Sequence, residues 1–203
     1  MIVINPIDDS LLSEVARLHI EYIKSGFMSQ LGESFLKCFY RTISKSESSY
    51  LGVYINEKNE VCGFISGTIS LLNLKKDFKK NCKLTIIASF LKLIFNPMKI
   101  LNFFESYKYA SSKHFKVTTN SELISIVVKQ ECRGKGIAKE LYKSLVYFFK
   151  EKKVKKFKIL VGSNLKEAQK FYEKMGAKKI DEIEIHKGIK SFLYIQNIEE
   201  KDV

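Results

Sequence analysis

The chain has 203 residues, 45% hydrophobic and 28% charged, with 35 Lys and Arg against 22 Asp and Glu for a net charge of +13. Such a composition buries one sizeable core and excludes a disordered chain, while two prolines and ten glycines exclude collagen-like and Pro-rich recognition segments. The positive excess would suit a polyanion, yet only Arg17, Arg41 and Arg133 are arginines and tryptophan is absent. Nucleic-acid readers rely on the planar arginine fork and on aromatic stacking, so a lysine-rich solvated surface is expected and a nucleic-acid partner is not.

Ile2 to Ile4 alternates as a short strand that stops at Pro6, after which Ser10 can cap a helix with Leu11, Leu12, Val15, Leu18, Ile20 and Ile23 near helical spacing. A second helix is predicted over residues 33–44, with Phe35, Leu36, Phe39, Tyr40 and Ile43 inward. Tyr50 to Ile55 and Val61 to Ile69 read as a hairpin around the polar turn 56–60. From Leu72 to Lys116, ten lysines face only Asp77 and Glu105 among dense Leu, Ile and Phe. This segment reads as two helices broken at Pro97, an insertion that packs on the core, with a substrate lid as the second reading and membrane contact not favoured.

Glu122 to Val128 is then a strand, Gly134 to Lys150 an amphipathic helix with Ile137, Leu141, Leu145 and Phe148 on one side, Phe157 to Val161 a strand and Leu165 to Met175 a helix. Ile180 to Ile185 and Ser191 to Ile198 close the chain as strands around Lys187-Gly188, and a final strand left exposed would be able to pair into a homodimer. The order of elements gives an α/β chain of the α+β type with a mixed sheet, read as a single domain over residues 1–203.

Cysteines 38, 62, 82 and 132 are spaced too widely for a metal knuckle or a redox C-x-x-C, and are expected to be reduced cytosolic thiols. His19, His114 and His186 fall in no ligand or triad spacing, although His114 is worth testing as a base, and no metal is expected. Met1 to Pro6 shows no basic region ahead of a long apolar run, and Leu84 to Phe95 is too short to span a bilayer, so a cytoplasmic protein is expected.

The most informative stretch runs from Val128 to Ala138, between a strand and a long helix. Gly134 and Gly136 allow a tight turn with exposed amides, and the helix N-terminus adds its partial positive charge, which together make an anion cradle that suits a pyrophosphate. The Lys-Ser/Thr of a triphosphate loop and the third glycine of a dinucleotide fingerprint are both missing.

Arg133, Gly136 and Ala138, followed downstream by Asn164, Ala168 and the run Phe171-Tyr172-Glu173-Lys174-Met175-Gly176, resemble the two signature elements of the GNAT superfamily of acyl-CoA-dependent N-acetyltransferases. Ala177 stands where that family usually has an aromatic residue, a departure that touches packing more than chemistry. The resemblance covers residues 122–198 and implies a mostly antiparallel central sheet flanked by helices, with a helical insertion after the third strand. It implies acetyl-CoA as co-substrate, its pantetheine arm on the backbone of Ile126, Val127 and Val128, and its pyrophosphate on Arg133, Gly134, Lys135, Gly136, Ile137 and Ala138, with Asn164 and Tyr172 completing the cofactor site. It also implies Tyr172 as the acid that protonates the departing thiolate, and Glu122, on a strand where members often carry a carboxylate, as the base that takes the amine proton. An amide near Val128 is the expected oxyanion donor.

The acceptor is expected to be a small-molecule primary amine carrying phosphate or carboxylate, such as a nucleotide-linked amino sugar, because a basic wall repels polycations. The alternatives are a peptide or protein amino terminus, or a non-catalytic coenzyme A-binding domain. Oligomeric state is left open between monomer and homodimer.

Overall fold

The computed structural model describes residues 1–3, 7–24, 26–94, 119–186 and 189–198. Seven strands form one sheet in the order β1-β2-β3-β4-β5-β7-β6: β1 (Ile2–Val3), β2 (Ser49–Ile55), β3 (Val61–Thr68), β4 (Glu122–Val128), β5 (Lys156–Gly162), β6 (Lys178–His186) and β7 (Ile189–Asn197). Among the described residues only β4 and β5 run parallel, so the sheet is mixed and mostly antiparallel, as expected. The final strand, expected to be exposed, is interior: β7 lies between β5 and β6, and the edge falls on the charged strand β6.

Helices cover both faces. On one side lie α1 (Asp9–Tyr22) and α3 (Glu33–Lys45), whose Leu12, Val15, Leu36, Tyr40 and Ile43 pack on Leu51, Val53 and Phe64. On the other, α6 (Ile137–Glu151) buries Ile137, Leu141, Leu145 and Phe149 against Ile65, Leu123, Phe157 and Ile159. The 3.6-residue spacing of those apolar positions is what the sequence displayed, except that on α6 Phe149 is the fully buried residue and Phe148, the expected one, is half-buried. The helix α1 is capped by Asp8, whose carboxylate accepts from the Leu11 amide at 2.8 Å, rather than by Ser10, which lies inside the helix. A four-residue helix, α2 (Phe27–Gln30), joins α1 to α3 and is too short to carry a periodic signal.

After β3 come α4 (Leu71–Asn81), capped by Ser70, and α5 (Lys83–Ile94). The break between them is at Cys82; Pro97, the expected break, lies outside the described residues, as do His114 and the turn 187–188. Leu74 and Phe78 turn inward, Phe78 edge-on to Phe35 and Phe39 at 5.1 and 5.3 Å, while Lys75, Lys76, Lys79 and Lys80 are exposed. Leu84, Ile87 and Leu91, one face of α5, are exposed as well. No described helix is long and apolar enough to cross a membrane.

The cysteines are not reduced thiols: Cys38 on α3 is bonded to Cys82, and Cys62 on β3 to Cys132, across separations of 44 and 70 residues. Sequence spacing is blind to such pairs because only the fold brings them together. His19 is a structural residue. It is buried with its Nδ1 2.6 Å from the Tyr40 hydroxyl, and burial lowers its pKa to about 4, so it is neutral at physiological pH.

Candidate active site

The cradle follows directly from β4. A single 3-10 turn, η1 (Gln130–Cys132), leads into Arg133 and then Gly134 and Gly136, both left-handed at φ 77° and 79°. A Cβ built on either glycine would meet nothing within 4 Å, so it would project into open space in front of the turn, where a ligand must approach. Among the described residues the amides of Gly134, Lys135 and Gly136 have no acceptor within the chain, and Gly136 caps α6 without a side-chain bond. Ile137 and Ala138 extend the row, because the first amides of a helix have no partner in it and the first helical bond runs from Glu140 to the Gly136 carbonyl. Five consecutive free N–H groups at the positive end of a helix fit a pyrophosphate.

Arg133 enters differently. Its amide is already committed to the Gln130 carbonyl, and its Nε donates to the Val128 carbonyl at 3.2 Å. Its guanidinium lies 5.7 Å over the ring of Tyr22, whose hydroxyl accepts from the Gln130 amide at 3.1 Å. Tyr22, at the end of α1, thereby braces the turn from the other layer of the molecule. Sequence gave no signal for it, since the two residues in hydrogen-bond contact are 108 positions apart.

Beside the cradle the sheet opens. The strands β4 and β5 pair only at Glu122 with Lys158 and Leu123 with Ile159, then diverge, so β4 has a free edge from Ile124 onward. Which groups that edge offers follows from alternation along the strand. The Lys129 amide donates to the Cys62 carbonyl on β3, so Val127 also faces β3, whereas the main-chain groups of Ile126 and Val128 face the gap. The expected three-residue contact thus reduces on this edge to Ile126 and Val128. On the β3 side, Ser66 pairs with Ser125 and Gly67 with Leu123, leaving Ile124 in a bulge; Ile124 therefore packs with the α1/α3 cluster while Ile126 packs with the α6 cluster.

Glu122 stands where the gap closes, about 20 Å along β4 from Val128. Its carboxylate is 3.3 Å from the Lys158 ammonium, and both side chains are nearly buried. Burial raises its pKa above the ordinary glutamate value, while Lys158, and more weakly Lys75 from α4, pull it back down. Lys158 is a functional candidate that sequence reasoning missed, because its approach to Glu122 depends on strand pairing.

Tyr172 lies on the buried face of α7 (Lys166–Lys174), its ring 6.1 Å from Tyr142 on α6 and 6.4 Å from Tyr194 on β7. Its hydroxyl has no hydrogen-bond partner among the described residues, and burial raises its pKa, which keeps it protonated. Gln169, one turn earlier, donates to the carbonyls of Gly162 and Ser163 at 2.9 and 3.0 Å and fixes α7 to the end of β5. Asn164 is exposed in the turn between them. The cradle, the open β4 edge and Glu122 thus border one wedge between β4 and β5, with an anion site at its mouth and a carboxylate at its apex, and Tyr172 belongs to the core cluster on which Ile126 and Val128 of that edge pack.

Residues 97–195 match the family described as acetyltransferase (GNAT) domain. No curated protein matches the chain. Among solved structures, the N-acetyltransferase from Staphylococcus aureus Mu50 superposes with a TM-score of 0.63 at 15% identity over 98% of each chain. Arabidopsis thaliana NAA60 in complex with acetyl-CoA gives 0.59 at 14%, covering 98% of this chain and 99% of that one. A mutant form of the spermidine/spermine N-acetyltransferase SpeG from Vibrio cholerae gives 0.55 at 13%, covering 97% and 95%. At such identities the likeness to these structures is one of fold.

Proposed function

We propose that the chain is an acetyl-CoA-dependent acetyltransferase of the GNAT kind, a reading supported by the match of residues 97–195 to that domain and by the shared fold, and that it acetylates the primary amine of a small anionic acceptor such as a nucleotide-linked amino sugar. In this reading residues 1–203 work as one domain, and the described part of the lysine-rich segment, residues 72–94, forms the acceptor wall. The observation that carries it is the start of α4 beside the start of β4, where Thr68 pairs with Glu122 and the Leu71 amide donates to the Asn120 carbonyl at 3.3 Å, which sets the helix bearing the exposed lysines next to the apex of the wedge. Like-charge repulsion there disfavours a polyamine and favours phosphate or carboxylate.

Acetyl-CoA supplies an acetyl group activated as a thioester. The amides of Gly134 to Ala138 hold its pyrophosphate, Arg133 and Asn164 flank it, and the main chain of Ile126 and Val128 holds the pantetheine arm as an added strand would be held. Glu122 takes a proton from the amine, directly or through one water, as the new N–C bond forms. A main-chain N–H on the free β4 edge near Ile124 faces the oxygen that gathers negative charge, because the expected donor near Val128 lies about 20 Å along β4 from Glu122, beyond reach of an amine held there. Tyr172 gives its proton to the sulfur as the C–S bond breaks.

Two measurements test the reading. Glu122 works ionised, so kcat/KM rises with pH through its raised pKa; Glu122→Gln is expected to remove that acid limb and lower kcat by about 10²-fold, leaving any higher limb that belongs to the acceptor amine. A wild-type profile flat through that range would dismiss Glu122 as the base. Replacing Lys75, Lys76, Lys79 and Lys80 together by Gln should raise the KM of a nucleotide-linked amino sugar and flatten its salt dependence, with the acetyl-CoA KM unchanged, as free thiol release across an acceptor panel would show. Unchanged KM with loss of binding to anionic vesicles would reassign that face to a membrane; acetylation of peptides alone would overturn the acceptor class.

A further inference from the structure

We propose that Cys62 and Cys132 are a reversible thiol–disulfide pair that sets the affinity of the Gly134–Gly136 turn for the coenzyme, an inference that rests on reading this turn as the pyrophosphate site. All four cysteines fall into two bonded pairs, with Cα atoms 6.2 and 5.8 Å apart. The two bonds differ in what they hold. Cys38–Cys82 ties α3 to the α4–α5 junction, away from the cradle. Cys62–Cys132 joins β3 to the last residue of η1, next to the exposed run 133–136.

The turn is held at its start by the Lys129 amide on the Cys62 carbonyl at 2.8 Å, and at its end by the sulfur of that same residue. Without the bond, η1 keeps the local hydrogen bonds from Cys132 to Lys129 and from Arg133 to Gln130, the Arg133 Nε on the Val128 carbonyl and the Tyr22 brace at Gln130, but no covalent tie to β3. The five free amides beyond Cys132 then have to be ordered when the ligand arrives, and that ordering weakens binding. The oxidised chain presents them already in place.

The chemistry balances with glutathione disulfide as oxidant. The thiolate of one cysteine attacks the disulfide, releasing one glutathione and leaving a mixed disulfide. The partner cysteine's thiolate then displaces the second glutathione, so two protein thiols are oxidised, one disulfide is reduced to two thiols, and each departing thiolate takes up a proton lost by a cysteine. The two sulfurs are buried, with residue exposures of 3% and 6%, but every residue from Gln130 to Gly136 other than Cys132 is exposed, so opening one turn admits a thiol. Linkage makes the effect reciprocal, and bound coenzyme should shift the thiol–disulfide equilibrium of this pair toward the disulfide.

The test compares full-length protein oxidised with glutathione disulfide and reduced with dithiothreitol, reading the pairing by mass spectrometry after alkylation and the acetyl-CoA Kd by calorimetry. Reduction is expected to weaken binding about tenfold in the wild type and in Cys38→Ser/Cys82→Ser, with no redox effect in Cys62→Ser/Cys132→Ser. Should that double variant fold poorly, Cys132→Ala alone is expected to behave the same way. Absence of the 62–132 bond in the oxidised protein, equal affinity in both states, or a redox effect that outlives Cys132 each overturns the proposal. Failure to bind acetyl-CoA in either state would overturn the cradle itself.

Discussion

Tyr172→Phe is expected to lower kcat by about 10²- to 10⁴-fold while the acetyl-CoA Kd stays put. The substitution deletes one oxygen and keeps the ring, which sits among Phe171, Tyr142 and Tyr194 at 5.4 to 6.4 Å. The lost hydroxyl has no partner within the described chain, so its removal orphans no neighbour. An acid must arrive at the reaction protonated, and burial, by raising the pKa of this phenol, ensures that at physiological pH. Free thiol release under saturating substrates, with a thermal melt to establish folding, provides the measurement. A folded variant with undiminished kcat would leave the thiolate to be protonated by water.

Gly136→Val should abolish stabilisation by acetyl-CoA. Coenzyme at about a hundred times its Kd is expected to stabilise the wild type by roughly 2.7 kcal/mol, a rise in Tm of roughly 5–10 °C for a chain of this size. In the variant a branched side chain stands in the open space before the free amides, and a β-branched residue is forced to the left-handed φ that glycine holds at 79°. The ligand-free melt separates these effects, since backbone strain lowers the Tm whether or not coenzyme is present. If the full ligand-induced shift survives, the pyrophosphate binds elsewhere.

The parts of the molecule that were legible in sequence are those whose information is local. Phe35, Leu36, Phe39, Tyr40 and Ile43 announce α3 by their spacing, and all are buried. The strand β4 has the predicted bounds, and the glycines of the cradle are where the turn needs them. What escaped notice depends on tertiary placement. The Ser10 assignment failed because Asp8, also a good capping residue, stands two positions earlier. The break at Cys82, where a disulfide anchors the chain to α3, carries no strong local breaker and went unforeseen, while the expected break at Pro97 lies outside the described residues. The wedge depends on how far β4 and β5 stay paired, and the burial of Glu122 on a neighbour, Lys158, thirty-odd residues away. Tyr22 and the two cysteine pairs are of the same kind, because a single sequence carries no record of which distant residues meet.

The position of β7 between β5 and β6 bears on the order in which the chain is made. The strand β5 leaves the ribosome before either of its later neighbours, and β6, which follows it, is not the strand it pairs with. Until β7 has been synthesised, β5 therefore has an unsatisfied row of main-chain groups on that side, flanked by Phe157, Ile159 and Val161, which end up buried. Arrival of β7 closes both gaps at once, since it pairs along its length with β5 on one edge and with β6 on the other. A nascent chain stalled within β6 thus exposes a hydrophobic strand edge of the kind that chaperones shield and that seeds aggregation.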